Sequence, residues 1–282
     1  MRCDLHTHSN HSDGTYSPRE LIAEAKEKGI IIALTDHNSV SGLPEFMAEA
    51  QAQGVTAVGG VELSTEQDGR EFHLLGLLIE PQYYGRVEEL CLDFHRRKRE
   101  SNIALVKRLN EAGYKLDFSD VEAMNVKGRV NRAHIAHSLV SLGYVSSISE
   151  AFDLLLDEDR GYYIPPHRLS LTDGIKFLRG IGAVPILAHP LKEISHIQLD
   201  NMLPKLLSAG LAGIETMHSS YDEEMIKISK QLAAKHNLLE SGGSDFHGAI
   251  RPGVKLGEGK GNLNIGDDIY TALVKWKTKN QK

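Results

Sequence analysis

The run Ile30-Ile-Ile-Ala-Leu34 is continuously apolar. A strand with one face in water alternates polar and apolar residues, so a run with no polar position belongs in a parallel strand covered on both faces. Helices frame it. Ser17-Pro-Arg-Glu20 puts Ser at an N-cap, Pro at the first helical position and Glu at the third, and the helix it starts, through Leu21, Ile22 and Ala25, ends at Gly29. A second helical stretch from Pro44 to Gln53, closed by Gly54, leads into Val55 to Val58 and Gly60-Val-Glu62, and Phe72 to Ile79 reads as a further strand.

From about Tyr84 to Tyr163 this rhythm breaks. A long helix ends at Gly113, another runs through Ile135 to Leu142 before Gly143, and a third through Ala151 to Leu156. The stretch reads as a helical insertion, with Ile164-Pro-Pro166 as its extended exit. The alternation resumes with Ser170 as the N-cap of a helix ending near Gly180 and with the apolar run Ala183 to Ala188, where Pro185 cannot donate to a ladder and favours an edge. A helix from Leu199 to Ala209, a strand from Leu211 to Thr216, a helix from Asp222 through His236 and a strand from Leu238 to Gly242 follow, and Lys277 to Lys282 read as a frayed polar tail. About seven short strands alternating with helices point to an α/β fold, a distorted (β/α)7 barrel with a helical insertion. On this reading residues 1–83 and 164–282 form the barrel and residues 84–163 the cap. No GxGxxG follows the first strand and there is no Walker loop, which removes the main support for nucleotide-binding open sheets.

The residues at which the strands stop are of one chemical kind. Asp4-Leu-His-Thr-His-Ser-Asn-His-Ser-Asp-Gly14 follows a short apolar start, and alternation puts His6 and His8 on one face, able to offer nitrogens to one ion. Alone, such a pair reads equally well as a polar strand edge. The other strand ends add Asp13, His37, Glu62 at the end of strand three, His73 on strand four, and His189, His218, Asp245 and His247. Half of the fourteen histidines thus face one mouth, whereas surface scatter would put them in helices, as with His95, His134, His137 and His236. In a parallel barrel that mouth is where active sites lie. Imidazoles and carboxylates without thiolates suit Zn2+, Mn2+ or Fe, and so many donors exceed what one ion uses, so two or three carboxylate-bridged divalent metal ions are implied. Such a cluster binds a bridging hydroxide as nucleophile and stabilises both attacking and leaving oxygens at phosphorus. The plainer alternative is a hydrogen-bonded polar rim.

The net charge of -6 argues against coating of duplex DNA or attachment to an anionic membrane, although bound cations attract anions without entering the formal charge. Cys3 and Cys91 are too few for a disulfide scaffold and read as small buried groups. The chain starts almost directly on its first strand, without the pattern of a signal peptide, and no apolar stretch approaches the ~20 residues of a membrane span. A reducing cytoplasm is the expected location, with a monomer or a simple homo-oligomer as the expected assembly.

The segments DLHTHSNHSDG, ALTDHNS, GGVELS, FHLLG, LAHP and GSDFH resemble the successive motifs of the PHP (polymerase and histidinol phosphatase) superfamily, and they span nearly the whole chain. The resemblance implies a distorted seven-stranded barrel with a trinuclear metal site and phosphoesterase activity. On it, His6, His8, Glu62 and Asp245 hold one ion, Glu62 bridges to a second held by His73 and His189, and Asp13, His37 and His247 take a third. The insertion and Arg132-Ala-His134-Ile-Ala136 further resemble small stand-alone members acting on nucleotides, including 3',5'-bisphosphate nucleotides and short RNA 5' ends. Many relatives carry Pro where Ala133 stands, a departure in backbone preference rather than in a functional group. The length excludes the large polymerase-attached members.

These residues define an expected metal-dependent phosphoesterase in which Asp245 orients the nucleophile and His134 protonates the leaving group. Arg132 and His134 are expected to grip a phosphate, although an Arg and a His near a helix start are often only a solvated face. His218 is expected to bind phosphate with Ser219 or to stand behind the ligands. Within His95-Arg-Arg-Lys-Arg99, a run that is usually plain surface, Arg97 is expected on a nucleotide's further phosphate. The rival enzyme is a histidinol phosphate phosphatase, and the rival of another class is a non-catalytic metal and nucleotide sensor. A metal amidohydrolase shares the paired histidines but fits Glu62 and Asp245-Phe-His247 poorly.

Overall fold

Ser17 caps α1 (Pro18–Lys28) as its sequence dictates. Its side chain accepts from Glu20 N, the Glu20 carboxylate accepts from Ser17 N at 2.7 Å, and Gly29 ends the helix at φ 60°. Such a cap stabilises by about 1 kcal/mol. The computed structural model describes residues 1–123 and 130–280; residues 124–129 of the expected insertion and 281–282 of the expected tail lie outside it. The chain divides into two units, Met1–Glu89 with Arg168–Lys282, and Leu90–His167.

The first unit carries the sheet. Its strands are β1 (Arg2–Asp4), β2 (Ile30–Leu34), β3 (Ala57–Gln67), β4 (Arg70–Leu77), β5 (Leu169–Ser170), β6 (Val184–Leu187), β7 (Gly213–His218) and β8 (Leu239–Gly243). They lie in the order β1-β2-β3-β4-β6-β7-β8, with β5 added beside β3. Leu5 N donates to Gly242 O and His8 N to Phe246 O, so the two ends of the sheet meet and the barrel nearly closes. The apolar run of β2 is buried at every position: Ile31 and Ala33 join Cys3, Leu5, Val58, Leu75 and Ile186 in one core, and Ile32 and Leu34 point to the opposite side. Helices α2 (Leu43–Gln53), α7 (Leu171–Gly180), α8 (His196–Ala209), α9 (Glu223–Lys235) and α10 (Asp267–Asn280) also belong to this unit.

Four details differ from the sequence reading. β3 is a single strand of eleven residues, so Glu62 lies within it rather than at its end. Asp68 and Gly69, both at positive φ, turn the chain back, and β4 therefore runs antiparallel to both β3 and β6. Pro185 sits inside the sheet between β4 and β7, where its carbonyl still accepts from Ala212 N at 3.0 Å. Finally, Lys277 to Asn280 are helical and not frayed. Ile269 and Leu273 of α10 are buried, the Arg179 guanidinium covers the Trp276 ring at 4.5 Å, and Lys277 Nζ donates to Leu78 O at 2.6 Å.

The helix α3 (Tyr84–Glu111) begins in the first unit and continues into the second, which also holds α4 (Phe118–Ala123), α5 (Arg132–Ser141) and α6 (Ile148–Ala151). After α6 the helix widens over Phe152–Leu156, where Asp157 N reaches Phe152 O. This unit has its own apolar core, built from Leu105, Leu109, Val121, Ile135, Leu139, Leu155 and Leu156. No helix among the described residues is long and apolar enough to cross a membrane.

Candidate metal centre

His6 and His8 leave β1 where the sheet closes, and the two backbones approach so tightly that a Cβ on Gly243 would lie 2.4 Å from that of His6. Asp245 N donates to His6 O, which holds Asp245 at φ 55°, a left-handed conformation that costs a non-glycine residue about 1–3 kcal/mol. His189, between β6 and Pro190, has the same handedness at φ 30°. Two buried carboxylates set the surrounding loops. Asp4 accepts from Ser244 N and Oγ and from Gly257 N at 2.8, 2.5 and 2.7 Å. Asp36 accepts from Ser9 N, Ser9 Oγ and Ser12 Oγ at 2.8, 2.6 and 2.5 Å, which fixes the loop that carries Asp13.

Glu62 stands at the middle of the site. Its Oε2 lies 3.1 Å from His6 Nε2, 3.2 Å from His8 Nε2 and 2.9 Å from His37 Nδ1, and its Oε1 lies 2.8 Å from His73 Nδ1 and 3.2 Å from His189 Nε2. Asp245 Oδ1 approaches His8 Nε2 at 3.2 Å, and Asp13 Oδ1 approaches His247 Nε2 at 3.2 Å. The donors fall into overlapping groups with ligand atoms within 4.8 Å of one another: His6, His8, Glu62 and Asp245; His8, Asp13, His37 and His247; His37, Glu62 and His73; and His6, His189, Glu215 and His218. All nine residues that the sequence marked as ligands are gathered here, and so is His218. His8 belongs both to the group with His6, Glu62 and Asp245 and to the one with Asp13, His37 and His247, and His189 lies against Glu62 as well as standing with Glu215.

Glu215 was not singled out in the sequence, although it is a lone charge inside the wholly buried strand β7. Its Oε1 faces His6 Nδ1 at 3.0 Å and its Oε2 accepts from His189 N at 2.7 Å. Both oxygens are thereby engaged, so Glu215 orients the His6 ring and leaves Nε2 turned to the cluster. His218 does the same for Asp245: its Nδ1 accepts from Ser220 N at 3.1 Å, and its Nε2 faces Asp245 Oδ2 at 3.3 Å. His247 Nδ1 lies 2.8 Å from Asp245 O, which frees its Nε2.

The donor set fits metal ions on an energetic argument. Among the described residues, ten buried side-chain nitrogen or oxygen atoms make no well-directed hydrogen bond, and seven of them are here, most of them close to opposite charge but not aligned with it: His6 Nε2, both ring nitrogens of His8, Glu62 Oε2, His73 Nδ1, His189 Nδ1 and His247 Nε2. An unsatisfied buried polar atom costs about 1–3 kcal/mol, so this cluster alone rivals the ~5–15 kcal/mol that holds a domain folded. Cations coordinated by the same lone pairs remove that penalty. Burial disfavours charge at His6, His8, His73 and His189, yet at His8 the nearby Asp245 and Glu62 carboxylates win and its pKa rises to about 9. At His73, Glu62 and Glu71 likewise overcome burial and lift it to about 10, whereas at His189 burial wins and the value falls to about 4. Burial also opposes charge on Glu62 and Asp245, but the neighbouring imidazoles hold both carboxylates well below their usual range.

The remaining sequence candidates lie in the second unit. Arg132 donates to Leu156 O at 3.0 Å and covers the Tyr163 ring at 4.3 Å. His134 completes the cap of α5, its Nδ1 accepting from Asn131 N at 3.1 Å. Arg97 pairs with Asp93 and donates to His167 O.

Comparison with known proteins places this geometry in context. Residues 4–162 match the model of the PHP domain, more than half of the chain. The chain belongs to the PHP domain family. A 5'-3' exoribonuclease of Haemophilus influenzae is 28% identical over 275 residues, 97% of this chain and 98% of the relative. A 3',5'-nucleoside bisphosphate phosphatase of Chromobacterium violaceum is 28% identical, covering 90% of each chain. A phosphoribosyl 1,2-cyclic phosphate 1,2-diphosphodiesterase of Eggerthella lenta is 30% identical over 87% of this chain and 94% of its own. Among solved structures, a Bifidobacterium adolescentis protein described as a metal-dependent phosphoesterase superposes with a TM-score of 0.76 at 28% identity, over 97% of this chain and 95% of that one. This PHP chain is a metal-dependent phosphoesterase.

Proposed function

We propose that the chain hydrolyses phosphate esters of nucleotides, either 3',5'-bisphosphate mononucleotides or short oligoribonucleotides, using three divalent ions, Mn, Fe or Zn. The observation that carries this reading is the convergence of five imidazoles on the single buried carboxylate of Glu62. A carboxylate so surrounded is suited to bridging cations rather than to accepting five hydrogen bonds. The nucleotide preference is supported by the printed activities of the Haemophilus and Chromobacterium relatives.

When bound, the ions supply Lewis-acid charge and an activated water for attack at phosphorus. The chain's own part is to aim and to hold. Glu62 keeps two sets of ligands in register, one at each of its oxygens. Asp245, steadied by His218, presents Oδ1 beside His8 and is the group assigned to orient the attacking water. Asp13, on the loop tied down by Asp36, holds the ligands at His37 and His247.

A substrate panel with purified, Mn2+-loaded protein tests the reading. Phosphate from adenosine 3',5'-bisphosphate, or mononucleotides from a 5'-phosphorylated oligoribonucleotide, are the expected products. Turnover of histidinol phosphate or of a cyclic ribosyl phosphate, with none from either nucleotide, would overturn it.

A further inference from the structure

The loop after Asp245-Phe-His247 is built to hold a guanidinium beside the cluster. Gly248, at φ 69°, passes so close to the 15–16 segment that a Cβ would lie 2.1 Å from Thr15 Oγ1, and Ala249 N donates to the same hydroxyl at 2.9 Å. Two successive turns follow, from Arg251 N to Gly248 O at 3.1 Å and from Val254 N to Arg251 O at 2.9 Å. Arg251, which the sequence reading passed over, is therefore carried on a fixed backbone. Its Nη1 pairs with Asp245 Oδ2 and lies 3.4 Å from Asp245 O.

Five carboxylates, Asp13, Glu62, Glu71, Glu215 and Asp245, face the clustered imidazoles, and among the described residues two of them have an Arg within ion-pair distance: Glu71, at the His73 edge, pairs with Arg168, and Asp245, within the ligand set, pairs with Arg251. Asp245 is not short of partners without it, since Oδ1 faces His8 and Oδ2 faces His218 Nε2. Arg251 engages Asp245 through Nη1 alone, and its side chain is 40% exposed. Its Nε and Nη2 groups have no partner among the described residues. A planar fork with open donors, one ion pair away from the ligand set, is the geometry that grips a tetrahedral oxyanion.

We propose that Arg251 binds a non-bridging oxygen of the phosphate undergoing hydrolysis, as a substrate-binding residue on the Asp245 side of the centre. The inference rests on the phosphoesterase reading of the cluster and adds the anion-recognising group to it. Arg251 neutralises phosphate charge from outside the ligand set, so its loss weakens anion binding while leaving the metal ligands in place.

The test compares wild type with Arg251→Ala and Arg251→Lys, each loaded with Mn2+. Ion content by elemental analysis, the Kd of inorganic phosphate by calorimetry, and KM and kcat are measured together. Arg251→Ala is expected to keep the wild-type ion content and to bind phosphate about tenfold or more weakly, the scale of one lost charge-assisted bond, with KM raised to match. Arg251→Lys recovers part of the affinity because it restores the charge but not the fork. Loss of ions with unchanged phosphate affinity would make Arg251 a support for Asp245 and overturn the proposal, as would no change in any quantity. If wild type hydrolyses no phosphate ester, the functional reading fails with it; if wild type is active and Arg251→Ala is indistinguishable, only the Arg251 assignment fails.

Discussion

Glu62→Gln is expected to lower kcat for phosphate release by roughly three orders of magnitude or more, the scale at which removal of a group stabilising transition-state charge is felt. Gln fills the same volume but removes the negative charge that five imidazoles face, and it turns an NH2 donor toward nitrogens whose lone pairs are needed for cations. Both ligand sets lose their common member at once. The effect should therefore exceed that of changing a residue serving one group only, such as His73→Gln, measured with the same substrate and metal. An active Glu62→Gln protein would mean that the carboxylate is a structural hydrogen-bond acceptor.

The second large effect is a pH dependence that separates metal-free from metal-loaded protein. His8 and His73 have pKa values raised to about 9 and about 10 against an ordinary 6.5, so the stability they contribute is fully present below pH 6.5 and lost as pH rises through those values. His189 runs the other way. Its pKa of about 4 means that its contribution is present above pH 6.5 and lost as pH falls toward 4. Metal-free protein should thus be most stable near pH 6.5 and melt at lower temperature on both sides. Ions require neutral imidazoles and displace those protons, so metal affinity should rise between pH 6.5 and 10. Thermal unfolding with chelator and with Mn2+ checks this: the gap in Tm should widen over that interval, and parallel curves would contradict it.

The centre was largely legible in the sequence because its residues break a simple pattern. Where Ile30 to Leu34 must be apolar, His37 just beyond must be explained, and the same holds for His6, His189 and Asp245 at their strand ends. Glu215 escaped notice because it lies inside a strand instead of beyond one, although a charge among Gly213, Ile214 and Met217 was itself the signal. The residues of β4 carry no sign of its direction, which is set by the turn at Asp68-Gly69 before it. The helix α10 was lost among lysines, yet Ile269, Leu273 and Trp276 recur at helical spacing and carry its packing. Arg251 is invisible as a pattern, because nothing in a lone arginine shows that Gly248 and Thr15 fix the loop beneath it.

The most direct test of the metal centre is the number of ions held by each chain after loading with Mn2+ and exhaustive dialysis, read by elemental analysis against protein concentration. Three ions per chain in the active protein is the predicted result. Retention of one ion or none by a chain that still releases phosphate would contradict the account.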